Sequence, residues 1–494
     1  MTRPPAPWMQ SCVIQELKIK RDTLRAEAHA TNTAKSWNAF RQVRNRIKSD
    51  IGKAKRRFVT KSLLSKRPKE VWRVIHRILN PSHKTIQADP GKLNQFFITT
   101  SHRTLGSKSD ADAVGNFTRH VQSLQEHTTQ GHTFNLQQVT VREVEREVDR
   151  LRNDTSTGVD RIPAKFLKLE KQDIAGPLTH IINTCIRNSF FPETWETPRV
   201  SPIPKVNQSS CDSDFRPISI LPAMSTVFER LVLNQLVKYI DDQALLCSTI
   251  SRFRKGHSNS TITVLLGIRD ALIQASKKGE VTLMVCADYA KAFDTVEFKT
   301  VLMKMHNLGF SKDFLLWMIN YLSNRKQFVQ IDDKQSSLAT VQFGVPQGSI
   351  LGPVIFNLYV ADLQDKLQCL RFQYADDTTF LIDSKPSDLH LCANEVNGAI
   401  SRLREYSEGC NLALNLSKTK WMLISTLQMS RIHKLDERLL AIMCDDTPLE
   451  RISCTELLGV YIDQHLAWGD QVNNLLSSCY GILKVLRRLK RLSL

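Results

Sequence analysis

The sequence predicts an α+β protein with a basic, helical extension at its N-terminus. Two observations carry that prediction. From about residue 155 to 430, short apolar runs, Gly/Pro turns and helical periodicities interleave densely, as they do when helices and strands share one core. The first 80 or so residues instead keep a helical period while Lys and Arg fill the outward positions. At 494 residues the chain is too long for a single core, and length alone suggests about three domains.

Along the chain, WNAFRQVRNRIKSDIGKAKRRFVTKSLLSK (37–66) sets Phe40, Val43, Ile47, Ile51 and Phe58 at helical spacing. KEVWRVIHRIL (69–79) repeats the pattern, and Asn80-Pro81 ends it. Residues 1–99 are therefore expected to form the basic helical extension. Residues 100–135 are polar and poor in apolar side chains, which predicts a linker or mobile insertion. A helix is expected over VREVEREVDRLRND (141–154), opening an α+β body over 136–455. The final stretch, 456–494, closes on another basic amphipathic helix, DQVNNLLSSCYGILKVLRRLKRL.

Composition narrows the function classes. With 41% hydrophobic and 24% charged residues and a mean hydropathy of −0.26, no apolar run approaches the roughly 18–20 residues of a membrane span. The start, MTRPPAPWMQ, lacks the basic-then-apolar order of a signal peptide, so an intracellular chain is expected, in nucleus or cytoplasm. The 11 cysteines are scattered without a CxxC, which supports neither a zinc knuckle nor a disulfide framework. A net charge of +19 favours an anionic polymer as partner, with solvated basic surface as the plainer alternative.

Three acidic positions hold the chemistry. In EVTLMVCADYAKAFDTVEF (280–298), Val281–Ala287 is expected as a buried strand with Asp288 at its C-terminal end. Asp294 reads as an N-cap, because Glu297 three residues on completes a capping box. In QFGVPQGSILGPVIFNLYVADL (342–363), Gly344, Pro346 and Gly348 keep a loop tight, and Ser349 can cap the apolar helix behind it. RFQYADDTTFLI (371–382) then places Asp376 and Asp377 at a hairpin tip. Bringing Asp288 beside Asp376 on adjacent strands makes an anionic spot that divalent cations must neutralise. Two oxygen-ligated metals about 3.5–4 Å apart are what in-line phosphoryl transfer uses.

This order of motifs resembles the palm of reverse transcriptases, in the wording of non-long-terminal-repeat (LINE-type, Jockey-like) retrotransposons. FRPISIL (215–221), ADYAKAFD (287–294), VPQGSILGP (345–353), YADD (374–377), LNLSKTK (414–420) and LLGVYID (457–463) are similar to the family's successive polymerase motifs. STGVDRIPAKFLK (156–168) and FFPETWETPRVSPIPK (190–205) are similar to the segments before the fingers. The resemblance covers roughly residues 140–490, and the basic helices of 7–80 resemble the family's connector.

The resemblance implies a right-hand polymerase fold: fingers and a ferredoxin-like antiparallel palm over 136–455, and a helical thumb that ends after its first helix over 456–494. It implies Asp288 and Asp376 as ligands of two Mg²⁺ ions (Mn²⁺ as substitute), Asp377 in support, and the backbone carbonyl of Tyr289 completing a metal shell. Phe293 is implied as the steric gate against a ribose 2′-OH, its plainer reading being a core Phe. Gln347 is implied to contact the incoming dNTP, Lys205 and Arg216 to clamp its triphosphate, and Lys418 to act as general acid for pyrophosphate. Arg252 and Gly256 match a template-contacting turn. The implied partners are template RNA, a DNA primer and dNTPs, and the implied activity is RNA-directed DNA synthesis. The pattern departs at STGVDR, where Arg161 stands in place of a second Gly, and no endonuclease or Cys/His knuckle motif is found. The rivals are an RNA-templated RNA polymerase, against which Phe293 and YADD argue, and a catalytically silent or domesticated remnant that binds RNA.

Overall fold

The computed structural model describes residues 9, 11–63, 88–106, 115, 118, 119, 121, 122, 133–206, 209, 211–247, 250, 261–323 and 325–493. The chain divides into two compact units, Met1–Thr85 with Gln471–Leu494, and Ile86–Asp470.

The first unit is built on a helical hairpin of α1 (Cys12–Thr31) and α2 (Ala34–Leu63). Asn32 makes the corner at φ 46°, a left-handed conformation that Asn tolerates better than most residues. Its side-chain oxygen accepts from the Trp37 indole N–H at 3.1 Å, and the Trp37 ring meets His29 edge-on. Ile14, Ala28 and Ile47 are buried, whereas Arg41, Arg44, Lys48 and Lys53 stand exposed along α2. The C-terminal helix, Gly469–Ser493, leaves Leu475, Leu476 and Leu483 about half exposed and Tyr480 about two-thirds exposed. The helix expected over 69–79 lies outside the described residues.

The second unit is mixed helix and sheet, in agreement with the α+β reading. It opens with α3 (Pro90–Ile98) and α4 (Thr100–Leu105). These correct the start of the expected linker: Thr100 and Ser101 are buried, and His102 reaches Gln342 at 3.2 Å. Polar composition misled there because the small hydroxyls bond back to helix carbonyls, as Thr100 does to Phe96. Next come α5 (Val141–Asp149), capped by a reciprocal Thr140–Glu143 box, and α6 (Lys171–Arg187). A first sheet contains β1 (Arg199–Pro204) and β2 (Phe215–Ile220), paired antiparallel. After α7 (Ala223–Asp242) and α8 (Thr261–Lys277), the second sheet begins with β3 (Val281–Ala287), the strand the apolar run predicted.

Helices α9 (Ala292–Thr295), α10 (Phe298–Asn307) and α11 (Lys312–Leu322) follow, then β4 (Lys326–Ile331), which returns to the first sheet parallel to β1. Helix α12 (Gly352–Tyr359) leads to the hairpin of β5 (Leu370–Tyr374) and β6 (Asp377–Ser384). Helix α13 (Leu389–Gly409) carries the chain to β7 (Lys420–Ile424). With a short strand at 450–451, the second sheet runs 450–451, β7, β3, β6, β5, and the pairs among its four long strands are antiparallel.

This sheet is packed on both faces. Leu283, Val285, Phe380, Ile382, Trp421 and Leu423 face a core shared with α10, α12 and α13. The alternate residues Met284, Leu381, Met422 and Ile424 face α8 through Val264, Ile268 and Leu272. Gly267 lets α8 approach, since a Cβ there would lie 2.6 Å from the Phe372 ring. A run of stacked and edge-on rings (Phe191, Phe228, Trp317, Tyr321, Phe314) fills the core behind α7 and α11.

Candidate active site

Strand alternation decides where the acidic side chains go. Ala287 pairs with Thr378, so the next step of the same antiparallel register sets Asp288 opposite Asp377. Residues one apart point to opposite faces: Tyr289 turns its ring into the α13 core, where its hydroxyl meets Ser407 at 3.5 Å, and Asp288 emerges on the other side. Burial pushes the Tyr289 phenol up to about 12, so it takes no part in proton transfer near neutrality.

Asp288 and Asp377 line one open cleft of about 460 Å³ together with Cys286, Thr379, Ser417 and Lys418. Asp376 stands beside it at the two-residue tip of the hairpin, after Ala375, which is held at φ 58°. The structure therefore sets Asp377 on the Asp288 face and Asp376 at the turn. The Cys286 thiol is pushed up to about 11 by burial, with the Asp377 charge adding to it, so it is an inert neighbour.

The loop 411–419 holds Asp288 in place. The Asn415 N–H donates to the Asp288 carbonyl at 2.8 Å, the Ala290 N–H donates to Ala413, and the Asp288 N–H reaches the Thr419 hydroxyl at 3.3 Å. None of these bonds uses the Tyr289 carbonyl. The Lys418 ammonium lies 3.4 Å from Asp288 Oδ2. That oxygen is enclosed yet has no hydrogen-bond partner.

Four cations gather beside the carboxylates. Lys205, at the end of β1, donates to the Ser213 carbonyl at 2.8 Å, and Arg216 projects from the paired β2. Lys291 and Lys418 complete the group. Burial, then repulsion from Lys291, Arg216 and Lys418, brings the Lys205 ammonium down to about 8. Sequence reasoning missed Lys291, and its only signal was the left-handed conformation needed there (φ 57°), which a sequence does not display.

Asp294 corrects an expectation. The N-cap of α9 is Lys291 and that of α10 is Glu297, and Asp294 caps neither. Its Oδ1 instead accepts from the Gln347 carboxamide at 2.8 Å. The capping-box spacing was present, but Asp294 already lies inside α9, and α10 starts only at Phe298 behind Glu297. Phe293 is half-buried and stacks on Phe356 at 4.7 Å between centroids. The N-cap of α12 is Leu351 and not Ser349, although the Ser349 hydroxyl, two residues earlier, accepts from the Gly352 N–H at 3.0 Å.

A further residue escaped the sequence reading. Glu229 of α7 is fully buried and accepts from the Ile350 N–H and the Tyr321 hydroxyl, at the N-terminal end of α12. Arg161 takes φ 56°, which explains why a glycine is typical at that position. Arg252 and Gly256 lie outside the described residues.

The oxygen donors present suit a hard divalent cation: carboxylates of Asp288 and Asp377, Asp376 at the tip, and a nearby backbone carbonyl. Among the described residues no three His, Cys, Asp or Glu side chains form a closed cage. A cation held by one or two carboxylates and completed by substrate phosphates needs no such cage. The enclosed Asp288 Oδ2, which has the Lys418 charge nearby but no hydrogen bond, is the observation that fits it.

Comparison with known proteins agrees with this geometry. Residues 203–462 match the family model described as reverse transcriptase (RNA-dependent DNA polymerase). The chain is 27% identical over 365 residues to the probable RNA-directed DNA polymerase from transposon BS of Drosophila melanogaster, covering 71% of this chain and 39% of that protein. It is 26% identical over 294 residues to the RNA-directed DNA polymerase from mobile element jockey of the same species, covering 57% and 31%. It is 25% identical over 339 residues to the probable RNA-directed DNA polymerase from transposon X-element, covering 67% and 36%. The chain thus spans between about three and four tenths of the length of these relatives. With the acidic pair, the glycine loop and the cationic group inside the matched segment, the chain belongs to the reverse transcriptase family, in the company of the jockey-like non-LTR elements.

Proposed function

We propose that this chain is an RNA-directed DNA polymerase that transfers deoxynucleotides to a primer 3′-OH on an RNA template. The carrying observation is that Asp288 and Asp377, at the adjoining ends of paired strands, line one cleft beside four cations. In this reading the second sheet is a ferredoxin-like palm, its order β7-β3-β6-β5 being that of a split βαβ fold. The first sheet belongs to the fingers, and the C-terminal helix opens the thumb.

Asp288, Asp376, Asp377 and the Tyr289 carbonyl are the groups that would hold two Mg²⁺ ions, with Mn²⁺ as substitute. When bound, these ions would acidify the primer hydroxyl and neutralise the departing pyrophosphate. The chain's own residues supply position and charge. Lys205, Arg216 and Lys291 offer ammonium and guanidinium donors to a triphosphate. Lys418, tied to Asp288 and about two-thirds exposed, is free to swing to the leaving phosphate as its proton donor. Phe293, braced by Phe356, is a rigid wall where a ribose 2′-OH would stand. The basic helices of the first unit are suited to template RNA through its phosphates.

Primer extension on an RNA template with dNTPs tests this reading. Wild type should incorporate, and Asp288→Asn and Asp377→Asn should fall to background with unchanged circular dichroism. Predominant use of rNTPs by the wild type overturns the assignment to DNA synthesis. Equal background incorporation by wild type and Asp376→Asn, with RNA still bound, would leave an RNA-binding remnant. Phe293→Val should relax the choice of sugar.

A further inference from the structure

Asp294 has no place in the chemistry above, yet it is partly buried and bonded to the residue that faces the nucleotide. We propose that Asp294 is a positioning residue: it holds the Gln347 carboxamide by its nitrogen, leaving the carboxamide oxygen to accept from the 3′-hydroxyl of an incoming nucleoside triphosphate. The inference rests on the polymerase reading, in which Gln347 meets that nucleotide.

The backbone around the pair is locked from both sides. The Gly344 N–H donates to the Val296 carbonyl at 2.8 Å, and the Val345 N–H to the Phe293 carbonyl at 2.9 Å. The Ser219 N–H on β2 donates to the Gln347 carbonyl at 2.7 Å. Both flanking glycines are sterically required. A Cβ on Gly344 (φ 83°) would lie 2.8 Å from the Asp294 Cα, and one on Gly348 (φ 128°) would lie 2.4 Å from the Ser219 carbonyl oxygen. The loop therefore rests directly on the Asp294 backbone, and the side-chain bond at 2.8 Å is the last link in a fixed arrangement.

Burial raises the Asp294 carboxyl, while the Gln347 amide and the ammonium groups of Lys291 and Lys205 pull it back. In the bond itself the Asp294 Oδ1 is the accepting atom, at 2.8 Å. Its partner on Gln347 must then be the nitrogen. A carboxamide whose nitrogen is engaged presents an acceptor, and a sugar hydroxyl is a matching donor. The cavity that Asp294 and Gln347 line with Ser219, Phe97 and Phe343 measures only about 50 Å³. It admits water but no nucleotide, so Asp294 acts through Gln347 and not on substrate directly.

Single-nucleotide extension by the full chain, with dNTP and with 2′,3′-dideoxynucleotide, separates this role from a structural one. Asp294→Ala should raise the KM for dNTP about tenfold while kcat stays within about threefold, since one hydrogen bond is lost. The preference for dNTP over dideoxynucleotide should shrink by a similar factor. Asp294→Asn, which keeps an acceptor, should fall between, and serves also if the alanine variant does not fold. The double variant with Gln347→Ala should be no worse than Gln347→Ala alone. A lowered kcat with unchanged KM and unchanged dideoxy preference, or additive effects in the double variant, overturns the inference and leaves the polymerase reading intact. No incorporation by the wild type overturns the polymerase reading and this inference with it.

Discussion

Lys205 is the side chain whose surroundings most directly favour an anion beside it. Its ammonium is brought down to about 8 by burial and by three neighbouring cations, so it is charged near neutral pH but loses its proton well below the ordinary lysine range. A triphosphate in the same place reverses the balance and raises that value. Between about pH 8 and the raised value, binding then takes up a proton, and affinity must fall as pH rises. Below about pH 8 the lysine is already charged and the dependence vanishes. The KM for dNTP should therefore climb by at most about tenfold per unit above pH 8, the limit for one linked proton. Lys205→Met should bind more weakly at pH 7 and lose this slope, which pH-resolved steady-state kinetics would read. A slope that persists in Lys205→Met assigns the proton to another group.

At the level of elements, α12 depends on a carboxylate from elsewhere in the chain. The start of a helix leaves backbone N–H groups without partners, and Ser349 satisfies only one of them. Glu229, from α7, accepts from Ile350 and from the Tyr321 hydroxyl, and burial raises its carboxyl above the ordinary range. Glu229→Ala should destabilise by about 2–4 kcal/mol, by leaving buried donors unpaired and opening a cavity. Denaturant midpoints would measure it, and a loss under about 0.5 kcal/mol would mean the helix start is supported by other groups. The same contrast shows which features were legible in sequence. Strand β3, the glycine loop and the acidic hairpin follow from local rules: alternation, turn chemistry and strand ends. Glu229 and Lys291 do not, because a buried Glu on a helix and a lysine at φ 57° look ordinary until the fold brings their partners in. Asp294 was misread for the opposite reason. A local rule, the capping box, matched well and was overridden by a bond to Gln347, fifty-three residues away.

Across the whole molecule the charge is divided very unevenly. Residues 1–85 and 471–494 carry 26 Lys and Arg against 5 Asp and Glu, whereas the unit holding the carboxylate pair carries 42 against 44. The entire surplus of +19 thus resides in the helical unit. A near-neutral unit has little long-range attraction for a polyanion, and four of its 42 Lys and Arg gather beside the carboxylates. In the proposed polymerase, attraction for nucleic acid and transfer chemistry should therefore be separable by mutation. Replacing Arg41, Arg44, Lys48 and Arg56, all exposed on α2, with Gln removes four charges from the helical unit. If each meets a phosphate, the slope of log affinity for single-stranded RNA against log salt should flatten by about 3, with the loss of affinity greatest at low salt. Incorporation at saturating template should stay near the wild-type rate. An unchanged slope would place the phosphate contacts away from α2, and a fall in rate at saturating template would mean that these side chains also serve the catalytic step.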